Sequence, residues 1–324
     1  MVLGGKVYFS PKTRYTFIVY EAGALKLPGP VFRITYYTYY IAAQRYEPEM
    51  PTQLKYDTSL AKNANLALIT TPEKAGQLPE LQPGEQQYVQ ERVQQEAKII
   101  TLNRYTHHIY IVVVPAAKTE SGRKEAMRQA GFTLLKQLKA DRLESITILD
   151  KTETGAGLYL AEGIYLSNYS YTKHKTRDAK PSLLQTITLA DEQVTATQVQ
   201  ELANVLEAVV KTRDLVNEPH SHQNATQFSE QLEEMGREAG FKTEVLDEIK
   251  IQTLKMGGLL AVNQGSEEPA TFTIMEWKPE NAKNSKPYVL VGKGVVYDTG
   301  GLSLKPTPNS MDFMKSDMAG AAAV

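Results

Sequence analysis

The stretch Val291-Gly-Lys293-Gly-Val-Val-Tyr-Asp298-Thr-Gly300-Gly301-Leu-Ser-Leu-Lys305-Pro, followed by Asn309-Ser-Met-Asp312-Phe-Met-Lys315-Ser-Asp317-Met-Ala-Gly320-Ala-Ala-Ala-Val324, decides how the chain is read. An apolar run enters a glycine-rich turn that carries two lysines and an aspartate, and a second aspartate precedes a run of small apolar residues. Aspartates are hard oxygen ligands suited to divalent cations. A lysine beside a dication must shed its proton before its nitrogen can bind metal, and lysine shifts its pKa readily on desolvation. Glycines at 292, 294, 300 and 301 let the backbone fold tightly around such a site. The same residues would equally serve as solvated ion pairs on a surface loop, and composition alone does not decide between the two. Gly320 to Val324 reads as the first turn of a buried helix, so the expectation is of an incomplete protein that carries part of an active site.

Outward from this stretch the pattern is α/β. Tyr288–Val291, Thr271–Trp277 and Phe241–Leu246 read as strands ending near the glycine-rich turn. In alternating α/β sheets, sites gather at strand ends. Asn224 with Gln227 caps a helix whose inner face is Phe228, Leu232, Met235 and Ala239, stopped by Gly240. Before it, Thr195 with Gln198 opens a long helix carrying Leu202, Val205, Leu206, Val209 and Val210 on one face, ended by Pro219. Tyr171–Pro181, charged and basic, reads as a surface loop at a domain boundary. Further back, His108–Val114 and Ser145–Leu149 read as strands around a helix over Lys124–Leu143, with apolar positions Met127, Phe132, Leu134, Leu135 and Leu138, which makes a βαβ unit. Val31–Ile41 is β-branched and aromatic and reads as a strand. The expected organisation is a mixed α/β N-terminal domain (1–185), a connecting helix (186–212) and a second α/β domain (213–324) that carries the candidate metal site and is incomplete.

Bulk properties narrow the class. A net charge of -1 gives no electrostatic case for nucleic acid or an anionic membrane. The absence of cysteine removes disulfides, thiolate metal sites and thiol nucleophiles. No apolar stretch approaches bilayer-spanning length, and Met1–Ser10 does not read as a signal peptide, so a cytoplasmic location without membrane partners is expected.

The string as a whole resembles the leucyl aminopeptidase (cytosol aminopeptidase) family of two-metal exopeptidases. The resemblance rests on Val291-Gly-Lys293-Gly, Tyr297-Asp298-Thr-Gly-Gly301, Ser303-Leu-Lys305, Met311-Asp312 and Asp317-Met-Ala-Gly-Ala-Ala. Arg213-Asp-Leu-Val-Asn217-Glu-Pro219, Met256–Ser266 and Glu162–Tyr169 add to it upstream. It implies that Lys293 binds one metal as a neutral amine, that Asp298 bridges both metals, and that Asp317 is a further ligand of the lysine-bound ion. Lys305 would polarise the scissile carbonyl and stabilise the oxyanion. The implied cofactors are two divalent ions (Mn or Zn, with Mg or Co as alternatives), with bicarbonate as base. The implied substrates are peptides with a free N-terminus and a leucine-like first residue, and the implied assembly is a homohexamer. The family's later aspartate-alanine-glutamate-glycine-arginine motif does not occur, so this polypeptide by itself is expected to be inactive. Pro306–Ser310 is one residue longer than in many members.

Other features read more plainly. His220-Ser-His222, just after a proline, reads as a solvated turn rather than a metal-ligand pair. His107-His108 is placed at a sheet edge without a role, and Tyr36–Tyr40 as a packed sheet face rather than a base-stacking platform. Gly292-x-Gly294 does not match a dinucleotide-binding pattern. The competing function is a non-catalytic interaction or regulatory member of the same fold, including a DNA-binding one, which the net charge disfavours.

Overall fold

Leu66–Thr70 and His108–Val113 are apolar almost without interruption, as expected of strands covered on both faces. The computed structural model describes residues 6–8, 17–19, 52–114, 117–177 and 182–324. Residues 1–46 form one unit, within which β1 (Lys6–Tyr8) pairs antiparallel with β2 (Phe17–Val19). The strand expected over Val31–Ile41, with its tyrosine cluster, lies outside the described residues.

The second unit, residues 47–324, is built on a six-stranded sheet. Its elements, in chain order, are β3 (Gln53–Tyr56), β4 (Leu66–Thr70), α1 (Pro83–Gln94), β5 (Ile99–Asn103), β6 (His108–Val113), α2 (Glu120–Ala140), β7 (Ser145–Asp150), α3 (Ala156–Asn168), β8 (Thr186–Leu189) and α4 (Ala196–Asn217). The strand order is β3-β8-β7-β4-β6-β5, parallel throughout except for the antiparallel edge strand β5. The expected βαβ unit is therefore present, with β4 between β6 and β7. His108 opens β6, one strand in from the edge.

Alternation along the strands sorts side chains into two cores. Ala67, Ile69, Tyr110 and Val112 meet α2, α3 and α4 on one face. Leu68, Ile109 and Ile111 meet Val89 of α1 on the other. Helices α2 and α3 approach so closely at Gly163 that any Cβ there would overlap the Arg128 backbone. The inner stripe of α2 is Met127, Leu134, Leu135 and Leu138; Phe132 instead faces solvent beneath the Lys136 ammonium, 4.2 Å from the ring centre.

Two expectations are corrected. The connecting helix begins at Ala196 rather than 186, because Thr186–Leu189 pairs with β3 and β7 as part of the sheet. Its start is capped as expected: Thr195 Oγ1 accepts from the Gln198 N–H and Gln198 Oε1 accepts from the Thr195 N–H. Its buried face runs through Val199, Ala203 and Leu206, while Val205 is exposed. Tyr288–Val291, the second correction, forms no strand. A strand requires a hydrogen-bonded neighbour, and among the described residues none lies alongside it; all four side chains are exposed.

Beyond α4 come α5 (Ala225–Ala239), β9 (Lys242–Leu246), α6 (Glu248–Thr253), α7 (Gly257–Asn263), β10 (Phe272–Glu276) and the short α8 (Ala319–Ala323). Asn224 and Gln227 form the expected capping box on α5, which ends at Gly240. β9 and β10 form an antiparallel pair. Leu215 of α4, Phe228 and Leu232 of α5, and Met318 and Ala322 around α8 close a small apolar cluster. This cluster is the floor on which the glycine-rich turn rests.

Candidate metal centre

Met318 is fully buried and Ala322 nearly so, which seats α8 against α4; Thr212 Oγ1 donates to the Ala322 carbonyl at 3.2 Å. The seated helix in turn holds the loop before it. The Ala321 N–H donates to the Lys293 carbonyl at 2.9 Å, and a Cβ built on Gly292 would lie 2.5 Å from the Ala321 Cα. Only glycine permits that approach. The result joins two residues far apart in the chain: Lys293 Nζ lies 2.8 Å from Asp317 Oδ1 and 2.6 Å from Oδ2.

The turn that follows makes a second pair. Asp298 Oδ1 accepts from the Gly300 N–H at 2.8 Å, the Lys305 N–H donates to the Thr299 carbonyl at 2.9 Å, and Lys305 Nζ reaches Asp298 Oδ2 at 2.6 Å. The surrounding framework is hydrogen-bonded too. Tyr297 OH donates to the Met311 carbonyl at 3.0 Å, and Lys315 Nζ donates to the Asn217 carbonyl at the end of α4 at 2.6 Å. Arg213 and Asn217 of α4 are in turn tied to α3, through the Leu166 carbonyl and the Tyr169 hydroxyl.

The four residues singled out from the sequence are thus arranged as two lysine–carboxylate pairs. The Asp317 carboxylate raises the Lys293 pKa above the ordinary lysine value. The Lys305 ammonium, helped by the Gly300 N–H, holds the Asp298 carboxyl below the ordinary aspartate value. Lys293 is an ammonium here and must release its proton to bind a metal. The donor set still fits a divalent cation. It comprises one amine nitrogen and two carboxylates, and Asp317 Oδ2 is shut off from solvent with the Lys293 ammonium 2.6 Å away.

A further cluster lies just beyond the same end of α4, at its C-cap residue Glu218. Glu218, 4% exposed, accepts hydrogen bonds from Lys173 Nζ (2.7 Å) and Tyr171 OH (2.8 Å) on Oε2, while His174 Nε2 lies 2.6 Å from Oε1. Burial alone would raise the Glu218 pKa, but these three partners outweigh it and hold it below the ordinary value. The His174 and His222 rings stack at 4.3 Å. His220–His222 is a one-turn 3-10 helix with exposed side chains, as a solvated turn should be, yet the turn brings His222 to a buried carboxylate. The sequence carried one unused signal for this, the four-residue spacing of Glu218 and His222 across Pro219. His174 sits 44 residues before Glu218 and had no local mark.

A family model described as "Cytosol aminopeptidase family, catalytic domain" matches residues 210–324. A probable cytosol aminopeptidase of Chlorobaculum parvum is 57% identical over 112 residues, covering 35% of this chain and 22% of the relative. Among solved structures, a tomato leucine aminopeptidase mutant superposes with a TM-score of 0.66 at 18% identity, covering 85% of this chain and 58% of that one. The bottromycin maturation enzyme BotP in complex with Mn gives 0.62 at 24% identity, covering 81% and 55%. At these identities the superpositions establish the fold. The chain spans less than half the length of the curated relatives it matches, 22% and 44% of two of them.

Proposed function

The chain belongs to the cytosol aminopeptidase, or leucyl aminopeptidase, family through residues 210–324, and on that premise we propose that it is part of a metal-dependent aminopeptidase that removes leucine-like N-terminal residues from peptides. The observation that carries the reading is the convergence of Lys293 with Asp317 and of Asp298 with Lys305 on one floor. Lys293, Asp298 and Asp317 would hold the metal. Two divalent ions, Mn or Zn, would polarise the scissile carbonyl, lower the pKa of a bound water and anchor the free α-amino group.

The chain's own residues have distinct tasks. Lys293, once deprotonated, would hold the metal through its amine, and Asp317, its counter-ion in the metal-free chain, would hold it through its carboxylate. Asp298, ionised well below neutral pH because of Lys305, is ready to ligate. With Asp298 holding metal, the Lys305 ammonium would be free to donate to the carbonyl oxygen as negative charge develops there. One amine and two carboxylates are too few donors for two ions, so residues 1–324 alone are proposed to bind metal without turnover. Bicarbonate as base, a homohexameric assembly and a cytoplasmic location complete the proposal. The support for these is the family resemblance; in addition, no helix among the described residues is long and apolar enough to cross a membrane.

The test separates ligation from catalysis in the native, full-length protein. Lys305→Ala is expected to lower kcat by at least about a hundredfold, the scale of losing one oxyanion donor, with metal content intact. Asp298→Ala is expected to lose metal as well. An unchanged kcat in Lys305→Ala would refute the role given to that lysine.

A further inference from the structure

We propose that His174, Glu218 and His222 form a second, separate cation site, one that takes a single zinc-class divalent ion. A ring nitrogen from each histidine and one Glu218 oxygen all lie within 4.8 Å of one another. Two imidazoles and a carboxylate are a donor set that suits zinc and its transition-metal neighbours rather than magnesium or calcium. Three protein ligands leave one tetrahedral position open for water.

The site is built rather than incidental. Its carboxylate is 4% exposed, and a buried carboxylate requires charged or hydrogen-bonding partners. Two of these partners, Tyr171 OH and Lys173 Nζ, both bind Oε2. They fix the carboxylate plane and leave Oε1 directed at the histidines, as outer partners of metal ligands commonly do. Both histidines are exposed enough for an ion to enter.

Ligands around a tetrahedral zinc at about 2.05 Å stand about 3.3 Å apart. The His174 Nε2 to Glu218 Oε1 distance of 2.6 Å must therefore open by several tenths of an ångström. His174 lies in the exposed loop after α3, and a small movement of that loop would supply the shift. Glu218 and His222 are held by the end of α4, Pro219 and the one-turn helix. The ion would tie the loop after α3 to the segment leading from α4. That segment also carries Asn217, whose carbonyl accepts from Lys315, and His220, whose ring lies 5.4 Å from that of Tyr297. The cation would thus brace the scaffold of the Lys293–Asp317 site without joining it.

The experiment is a Zn²⁺ titration by calorimetry, with Co²⁺ absorption as a report on ligand geometry, on the 324-residue chain carrying Asp298→Asn and Asp317→Asn. These substitutions remove carboxylates of the other site, so the outcome is independent of the aminopeptidase reading. One equivalent of Zn²⁺ is expected to bind, with a tetrahedral Co²⁺ spectrum. Adding His174→Gln, which keeps a hydrogen-bond donor toward Glu218, is expected to weaken binding more than about a hundredfold, the upper range for losing a mere outer partner. His222→Asn is expected to do the same, and its exposed position leaves the fold intact. No bound Zn²⁺ in the Asp298→Asn, Asp317→Asn chain, or binding undiminished by either histidine substitution, would overturn the site.

Discussion

At the scale of single residues, the chemistry is set by which charges find partners. Glu218 is the clearest case, a buried carboxylate kept ionised by Lys173, His174 and Tyr171. A group whose pKa is lower folded than unfolded stabilises the fold above its unfolded pKa and loses that contribution as pH falls through the folded value. The metal-free chain is therefore expected to lose stability on acidification from the ordinary glutamate value, 4.5, downward. Glu218→Gln removes the titration, so urea midpoints measured at pH 7 and pH 4 should differ less in the variant than in the parent. An equal difference would show that Glu218 is not a source of the acid sensitivity. Lys293, Asp298, Lys305 and Asp317 could be singled out in the sequence because each sits in a short, distinctive string. The Glu218 cluster was not, because its histidine from the loop after α3 is brought in by tertiary packing alone.

At the scale of elements, local signals worked where the deciding interaction is local. The capping boxes at Thr195 and Asn224, and the buried runs of β4, β6 and β7, follow from side chains within a few residues of one another. Expectations failed where the partner is distant. Tyr288–Val291 has strand composition but no neighbouring strand among the described residues, and Phe132 and Val205 fit a helical stripe but face solvent. The contact between α2 and α3 is set by backbone approach at Gly163, which hydrophobic periodicity does not report. Gly163→Ala forces a Cβ into the Arg128 backbone, and a cost of about 1–3 kcal/mol is expected for such overpacking. Thermal or urea unfolding measures it directly. A variant as stable as the parent would mean that the two helices separate without penalty.

At the scale of the whole molecule, the six-stranded sheet is complete in its two cores, whereas the region around the glycine-rich turn is thinly covered. Trp277, Tyr288, Val289, Leu290, Val291, Leu302 and Leu304 are each more than two-thirds exposed. Four of these, Tyr288–Val291, are consecutive, and an exposed apolar run of this kind marks a place where further protein packs or chains associate. The 324-residue chain is expected to bind an apolar dye such as ANS while folded and to self-associate as its concentration rises, both reduced by Val289→Lys and Val291→Lys. Dye binding and light scattering unaffected by these substitutions would place the adhesive surface elsewhere.

The central claim is that Lys293, Asp298, Lys305 and Asp317 belong to a metal-dependent aminopeptidase. The most direct test is the release of free leucine from a leucine-initiated peptide by the full-length protein purified from its native source, before chelation, after chelation, and after Mn²⁺ or Zn²⁺ is restored. The account predicts release that chelation abolishes and metal restores. Folded, metal-loaded protein that releases no leucine or other N-terminal residue under any of these conditions would contradict it, and a non-catalytic role for the fold would take its place.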